Sequence, residues 1–228
     1  MKTFKFAIMA LGLVATMSCT KQYYQIAQTK PVDQTALRNT NDDSGYYYED
    51  RYCSISYDFW KLNGDAGFVI TNKTDQILYV VKDKSFYVKN GVSFEYYGDD
   101  NFAKVLPVIA IAPHARKKVG NYVIDKTVYV DCDLNCKPLK NEPDTRSFTA
   151  EDSPLIFGNV ITYRVGEKGQ EQTIQHLFYI SRITNYLQTD LFRFEMRKNC
   201  KNVSNREQEY IQVIRFAPST GYYQKYNK

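Results

Sequence analysis

Apolar and polar residues alternate one for one between residues 52 and 59. Tyr52, Ser54, Ser56 and Asp58 stand against Cys53, Ile55, Tyr57 and Phe59. Successive side chains of a β-strand point to opposite faces, so this order buries one face and wets the other. A helix would scatter the same residues around its circumference. The pattern is then punctuated. Asn63-Gly64-Asp65, Asn72-Lys73-Thr74-Asp75 and Asn90-Gly91 are turn sequences, because Gly and Asn tolerate the positive φ that tight hairpins require. Between them lie short strands at 66–71, 76–82, 85–88 and 92–97. Turns at intervals of about 8–12 residues are the mark of a sandwich or barrel.

The remainder of the chain follows suit. Residues 105–112 are apolar but contain Pro107, which removes a ladder donor and so predicts an edge strand or an irregular approach. Further strands are expected at 155–165, 173–185, 191–197 and 210–216, with a hairpin turn at Gly166 to Gly169. Twenty Tyr and 13 Phe against a single Trp, Trp60, suit pleated and half-buried surfaces. No helix of convincing length is expected after the first 18 residues, and no internal repeat of fixed period is present.

Composition divides the rest. Residues 19–50 are rich in Gln, Thr, Asn and Asp, too polar to offset the entropy of ordering, and are expected to be a flexible tether. Residues 51–130 form the first β region and 131–153 a polar connecting loop. Residues 154–220 either complete the same sandwich or make a second small β domain, and 221–228 read as a polar tail. The formal charge is +5, and +3 once Lys2 and Lys5 of the leader are set aside. That is too little and too dispersed for nucleic acid, whose binders cluster cations to neutralise phosphates. The densest basic run, Arg116-Lys117-Lys118, reads as a solvated strand.

The leader has its own logic. Lys2 and Lys5 precede an apolar run from Phe6 to Met17, which is shorter than the ~20 residues needed to span a bilayer. Small Ser18 then precedes Cys19. This ending resembles the lipobox of bacterial lipoprotein signal peptides, although Thr16 and Met17 depart from its usual residues. The resemblance implies a signal peptide over 1–18, cleavage before Cys19, and acylation of that cysteine. Several acyl chains at ~0.8 kcal/mol per buried CH₂ hold a protein on a membrane. No acidic residue stands in Thr20 to Gln25, where related surface-displayed lipoproteins carry acids. The expected place is therefore the periplasmic face of the outer membrane, with cell-surface display as the alternative.

A second resemblance covers about residues 50–125. The segments Gly67 to Tyr79, with the turn Asn72-Lys73-Thr74-Asp75, and Ser85-Phe86-Tyr87-Val88-Lys89-Asn90-Gly91, followed by Ile111-Ala112-Pro113, are similar to a group of lipoproteins from gut Bacteroidales. That resemblance implies an immunoglobulin-like β-sandwich. It brings no activity, so no functional residue is carried over.

Candidate chemistry is sparse. With Cys19 acylated, Cys53, Cys132, Cys136 and Cys200 remain, an even number suited to disulfides in an oxidising compartment. Cys132 with Cys136 is the preferred pair, because three intervening residues in a turn-rich loop can bring their Cα atoms within range. Zinc is not expected, since only one close Cys pair exists and His114 and His176 are isolated. Asp131, Asp133, Asn135 and Glu142 imitate part of a calcium loop, but Cys136 stands where the loop needs Gly. Neither His has a nucleophile beside it, and His176 alternates with Ile174, Phe178 and Ile180, a packed position. The adjacent acids Asp42-Asp43, Glu49-Asp50, Asp99-Asp100 and Glu151-Asp152 point in different directions and make no glycosidase pair. Tyrosines at Tyr46, Tyr47, Tyr48, Tyr96 and Tyr97 form a candidate exposed aromatic surface, since neighbours in a strand face opposite ways. The sequence thus predicts a non-catalytic binding or structural module without metal or cofactor. It is expected to sit on a membrane and engage a protein partner. The alternative is a glycan-binding accessory of a nutrient-uptake system.

Overall fold

The structure is a computed structural model and describes residues 21–33, 37–39, 45–96, 107–129, 138–196, 210–214 and 217–227. Strands β1 (Gln22–Pro31), β2 (Arg38–Asn39), β3 (Tyr46–Glu49), β4 (Cys53–Tyr57), β5 (Phe68–Asn72) and β6 (Leu78–Val81) come first. A 3-10 turn at Lys82–Lys84 leads to β7 (Phe86–Lys89), β8 (Val92–Glu95), β9 (Val108–Ile111) and β10 (Arg116–Val119). Then follow β11 (Asp144–Ser147), β12 (Ile156–Val165) and β13 (Gln172–Leu187). A single-turn helix α1 (Gln188–Leu191) precedes β14 (Phe192–Met196), β15 (Tyr210–Ile214) and β16 (Gly221–Asn227).

The protein is all-β and sandwich-like. Its larger sheet has nine strands, with the main path β16-β1-β13-β12-β6-β9. A five-stranded sheet, β10-β5-β4-β3-β2, packs against it, and β14 and β15 form a separate ribbon. The alternation at 52–59 is realised: Cys53, Ile55, Tyr57 and Phe59 are fully buried. From the small sheet Tyr46, Tyr57 and Phe59 meet Phe157 and Phe178 of the large one. Phe178 lies 4.9 Å from Tyr46, 5.2 Å from Tyr57, 4.9 Å from Phe59 and 5.8 Å from Phe157, ring centre to ring centre. Inclined aromatic pairs at these separations stabilise beyond their buried area.

The turn chemistry holds where it was read. Asn90 and Gly91 take φ of 46° and 78° and close the β7–β8 hairpin, the conformation that an Asn-Gly pair favours. The Asn72-Lys73-Thr74-Asp75 turn is organised by a buried side chain. The Asn72 amide donates to the carbonyls of Gln76 (2.7 Å) and Ala112 (3.0 Å), and its oxygen accepts from the Thr74 N–H (2.9 Å). The edge strand expected around Pro107 is β9.

Three readings need correction. The tether expected over 19–50 contains β1, which lies between β16 and β13 in the large sheet. Tyr23, Tyr24, Ile26 and Ala27 are buried there. Gln25 is only 1 % exposed. Its amide donates to Asn185 Oδ1 and to the Tyr129 carbonyl and accepts from the Tyr129 N–H, each at 2.8 Å. A polar side chain whose bonds are met internally is cheap to bury, so composition misjudged it. The polar tail expected at 221–228 is β16, paired with β1 along Gly221–Asn227, with Tyr222 and Gln224 buried. The connecting loop expected over 131–153 includes β11, which pairs with β13. Strands from both halves of the chain share one sheet, because β12 pairs with β13 on one side and with β6 and β7 on the other.

Candidate functional site

The long strand β12 sets up a cleft at the edge of the larger sheet. Its outer edge is used twice: β7 pairs with Phe157 to Val160, and β6 with Tyr163 to Val165. The chain crosses from one to the other through the 3-10 turn. Ser85 locks that kink. Its hydroxyl donates to the Val81 carbonyl at 2.7 Å and accepts the Thr162 N–H at 3.0 Å, while the Thr162 hydroxyl donates to the Lys84 carbonyl at 2.8 Å. The next strands outward, β8 on β7 and β9 on β6, therefore lie on either side of the kink, and a cleft of about 820 Å3 opens between them.

Phe94, Tyr96, Tyr122 and Ile109 give this cleft its apolar wall, with Lys82 and Glu95 as its charged groups. Phe94 is 42 % exposed. The Tyr122 ring stacks on Tyr87 at 4.8 Å and 13°, and its hydroxyl donates to the Glu95 carbonyl. The Tyr96 hydroxyl donates inward to Asn159 Oδ1, and the Asn159 amide donates to the Ala66 carbonyl at 2.9 Å. Burial, reinforced by neighbouring tyrosines, holds the Tyr96 phenol protonated. Tyr96 is thus fixed by a bond directed into the protein, and Tyr122 by its stack on Tyr87 and its bond to the Glu95 main chain, which leaves preorganised apolar faces for a ligand. Smaller clefts lie elsewhere among the described residues. The one beside Trp60, about 430 Å3, contains Lys61 and Lys118. Both cations are already neutralised in part by Asp65, at 3.7 and 2.6 Å.

Of the tyrosines proposed as an exposed surface, one lines the large cleft: Tyr96. Tyr46 is 4 % exposed, its hydroxyl donates to the Thr29 carbonyl at 2.7 Å, and burial pushes its pKa up to about 12. Tyr47 and Tyr48 are half-buried in β3. Tyr48 donates to Asp50 at 3.2 Å and lies 4.8 Å from the His176 ring. Tyr97 lies outside the described residues. Phe94 and Tyr122 were not singled out from the sequence. The available signal was the hairpin register, which places Phe94 opposite the buried Tyr87 and therefore on the same face.

Cys53 is a free, fully buried thiol. Burial first, then the Asp50 carboxylate, push its pKa up to about 12, so it carries no thiolate for nucleophilic attack. Burial alone would raise the pKa of Asp50 as well. The Tyr163 hydroxyl and the N–H groups of Cys53 and Tyr52 outweigh burial and hold it below the ordinary carboxylate value. Cys19, Cys132, Cys136 and Cys200 lie outside the described residues, as do Asp131, Asp133 and Asn135. Among the described residues, no group of three His, Cys, Asp or Glu is placed to hold a metal ion. His114 is exposed in a loop, 2.8 Å from Asp75.

His176 packs in the core as its alternation predicts, 2 % exposed, with Nδ1 2.8 Å from the Tyr57 hydroxyl. Burial lowers its pKa from 6.5 to about 4. The unfolded chain therefore takes up a proton at this residue below pH 6.5, whereas the folded chain stays neutral until about pH 4. Stability contributed by the neutral ring is complete above that window and is lost as pH falls through it, by about 3 kcal/mol at pH 4. Asp65 and Asp125, whose folded pKa values are lowered, lose their contributions only below the ordinary carboxylate value. Thermal unfolding at pH 7 and pH 4.5 is expected to show a steeper loss for the native protein than for His176→Gln. Equal losses would remove His176 as the cause.

The fold and the cleft together define an all-β, sandwich-like protein with a preformed aromatic recess at one sheet edge. No protein family, no curated protein and no solved structure matches the chain.

Proposed function

We propose that the protein is a lipid-anchored module of a bacterial envelope that binds a protein partner without catalysis, using the cleft between β8 and β9. The observation that carries this reading is the recess itself, where the exposed Phe94 ring stands beside Tyr122, which is held by its stack on Tyr87 and its bond to the Glu95 carbonyl. Partly exposed aromatic residues in a concave setting are the usual anchors of recognition. The protonated Cys53 and the neutral, core-packed His176 argue against a nucleophile or base at work. Attachment through Cys19, and lodging on the periplasmic face of the outer membrane, rest on the leader and the residues that follow it. No helix of the described residues is long and apolar enough to cross a membrane. A glycan ligand is the second reading, favoured by the mixture of one open ring with Lys82, Glu95 and Asn121 in the same cleft.

The test uses the full chain in bacterial membranes. Palmitate labelling is expected for the native chain and absent for Cys19→Ala. A protein partner is expected to co-purify with the native chain and to fall about tenfold or more with Phe94→Ala, the scale of losing one aromatic anchor. Retention on a polysaccharide gel, lost in Phe94→Ala, would replace the protein partner with a glycan. Co-purification that ignores Phe94→Ala would refute the cleft as the site.

A further inference from the structure

We infer that the partner supplies an extended segment that adds as a strand to β9, with its inward side chains seated in the cleft. This rests on the protein-binding reading above and names what binds. The phase of the ladder can be read from one bond. The Lys82 N–H donates to the Pro107 carbonyl at 2.8 Å, and β9 continues in antiparallel register with Val80 opposite Ile109 and Leu78 opposite Ile111. In such a pair, alternate residues direct both main-chain groups to the neighbour, and those between direct both away. Pro107, Ile109 and Ile111 therefore face β6, while Val108 and Ala110 turn their N–H and C=O groups outward. Among the described residues nothing is hydrogen-bonded to that outer side.

The edges at β10 and β16 are guarded. The β10 edge carries Arg116, Lys117 and Lys118, all exposed, and charges of this kind deter strand pairing. The β16 edge is partly occupied: the Tyr223 N–H donates to the Lys61 carbonyl at 3.3 Å, and the Tyr223 carbonyl accepts from Asn63 at 2.8 Å. The edge at β9 has no charge of its own, only Val-Ile-Ala-Ile, and β8 beside it exposes Val92 (56 %) and Phe94. An edge with paired donors and acceptors at the two-residue repeat is complementary to polypeptide backbone and to neither a sugar nor a lipid. A strand laid there directs alternate side chains toward Ile109, Phe94 and Tyr122. The segment recognised is accordingly extended and apolar at every second residue.

The test again uses the full, membrane-bound chain, with a photoreactive phenylalanine analogue replacing Val108. The expected product is a covalent adduct whose partner peptide is an alternately apolar segment. Ala110→Pro removes one outward N–H and no internal ladder bond, so the melting temperature should hold. Adduct yield should fall about tenfold or more, because a buried acceptor on the partner is left without its donor. Ala110→Ser keeps the N–H and should crosslink like the native chain. Should the proline variant fail to fold, Ala110→Lys offers the same loss by placing a charge on the edge. A partner that depends on Phe94 but crosslinks equally in the folded Ala110→Pro or the Ala110→Lys variant overturns strand addition and leaves protein binding standing. The absence of any protein adduct or co-purifying protein in the native chain removes both.

Discussion

A chain beginning at residue 45 will fail to fold, although composition marks everything before it as dispensable. The deletion removes β1, which is paired on both sides, from Tyr23 opposite Leu187 to Pro31 opposite Phe178 and from Gln22 opposite Asn227 to Gln28 opposite Gly221. It also removes Tyr23, Tyr24 and Ile26, all at 5 % exposure or less. Burying a large apolar side chain contributes about 2 kcal/mol, so three contribute roughly 6. Domains of this kind are stable by about 5–15 kcal/mol in total. To that loss is added the exposure of β13 and β16, whose main-chain groups would stand unpaired along the new gap. The satellite cluster on the outer face of β1, where Tyr24 and Ile26 meet Leu191 and Phe192, would open as well. The expected result is insoluble protein, or soluble protein without a cooperative melting transition. A cooperatively melting fragment starting at residue 45 would show that β1 is an accessory strand.

Replacing Phe178 by Ala is expected to cost about 3–5 kcal/mol, the range for a buried aromatic removed from a close-packed core. Phe178 is fully buried and sits where the two sheets meet. It contacts Tyr46 and Tyr57 from one sheet and Phe157 from the other, with Phe59 between. Four rings surround Phe178, and the cavity left by its removal is expected to stay open between them. Urea unfolding is the measurement: the midpoint should drop sharply at an unchanged slope. Phe178→Leu, which keeps most of the volume, should lose less than half as much. A loss below about 1 kcal/mol for the Ala variant would mean that the core collapses around the site.

Local patterns were legible because they depend on neighbours in the chain. The β4 alternation, the Asn90-Gly91 hairpin and the proline-marked edge strand β9 each follow from a few consecutive residues. The packed position of His176 follows from alternation along β13. The cleft was only half legible. Tyr96 stood out as one of a pair of tyrosines, whereas Phe94 and Tyr122 belong to segments that nothing in their spacing brings together. Tyr46 drew attention for the same reason as Tyr96, but its hydroxyl bond to the Thr29 carbonyl holds it inside.

The amino-acid sequence alone determined that this is a chain of β-strands, where several of its turns fall, and which face of β4 turns inward. Those properties are set by φ preferences and by the two-residue period of a strand, both local. Only the tertiary structure decided that β1 and β16 join the large sheet and that β8 and β9 part to leave a recess. Gln25 looks like a solvated residue until its partners Asn185 and Tyr129 arrive, more than a hundred positions along the chain. Burial of a polar side chain becomes favourable when its hydrogen bonds are met from such distant strands, and no window of neighbouring residues contains that information.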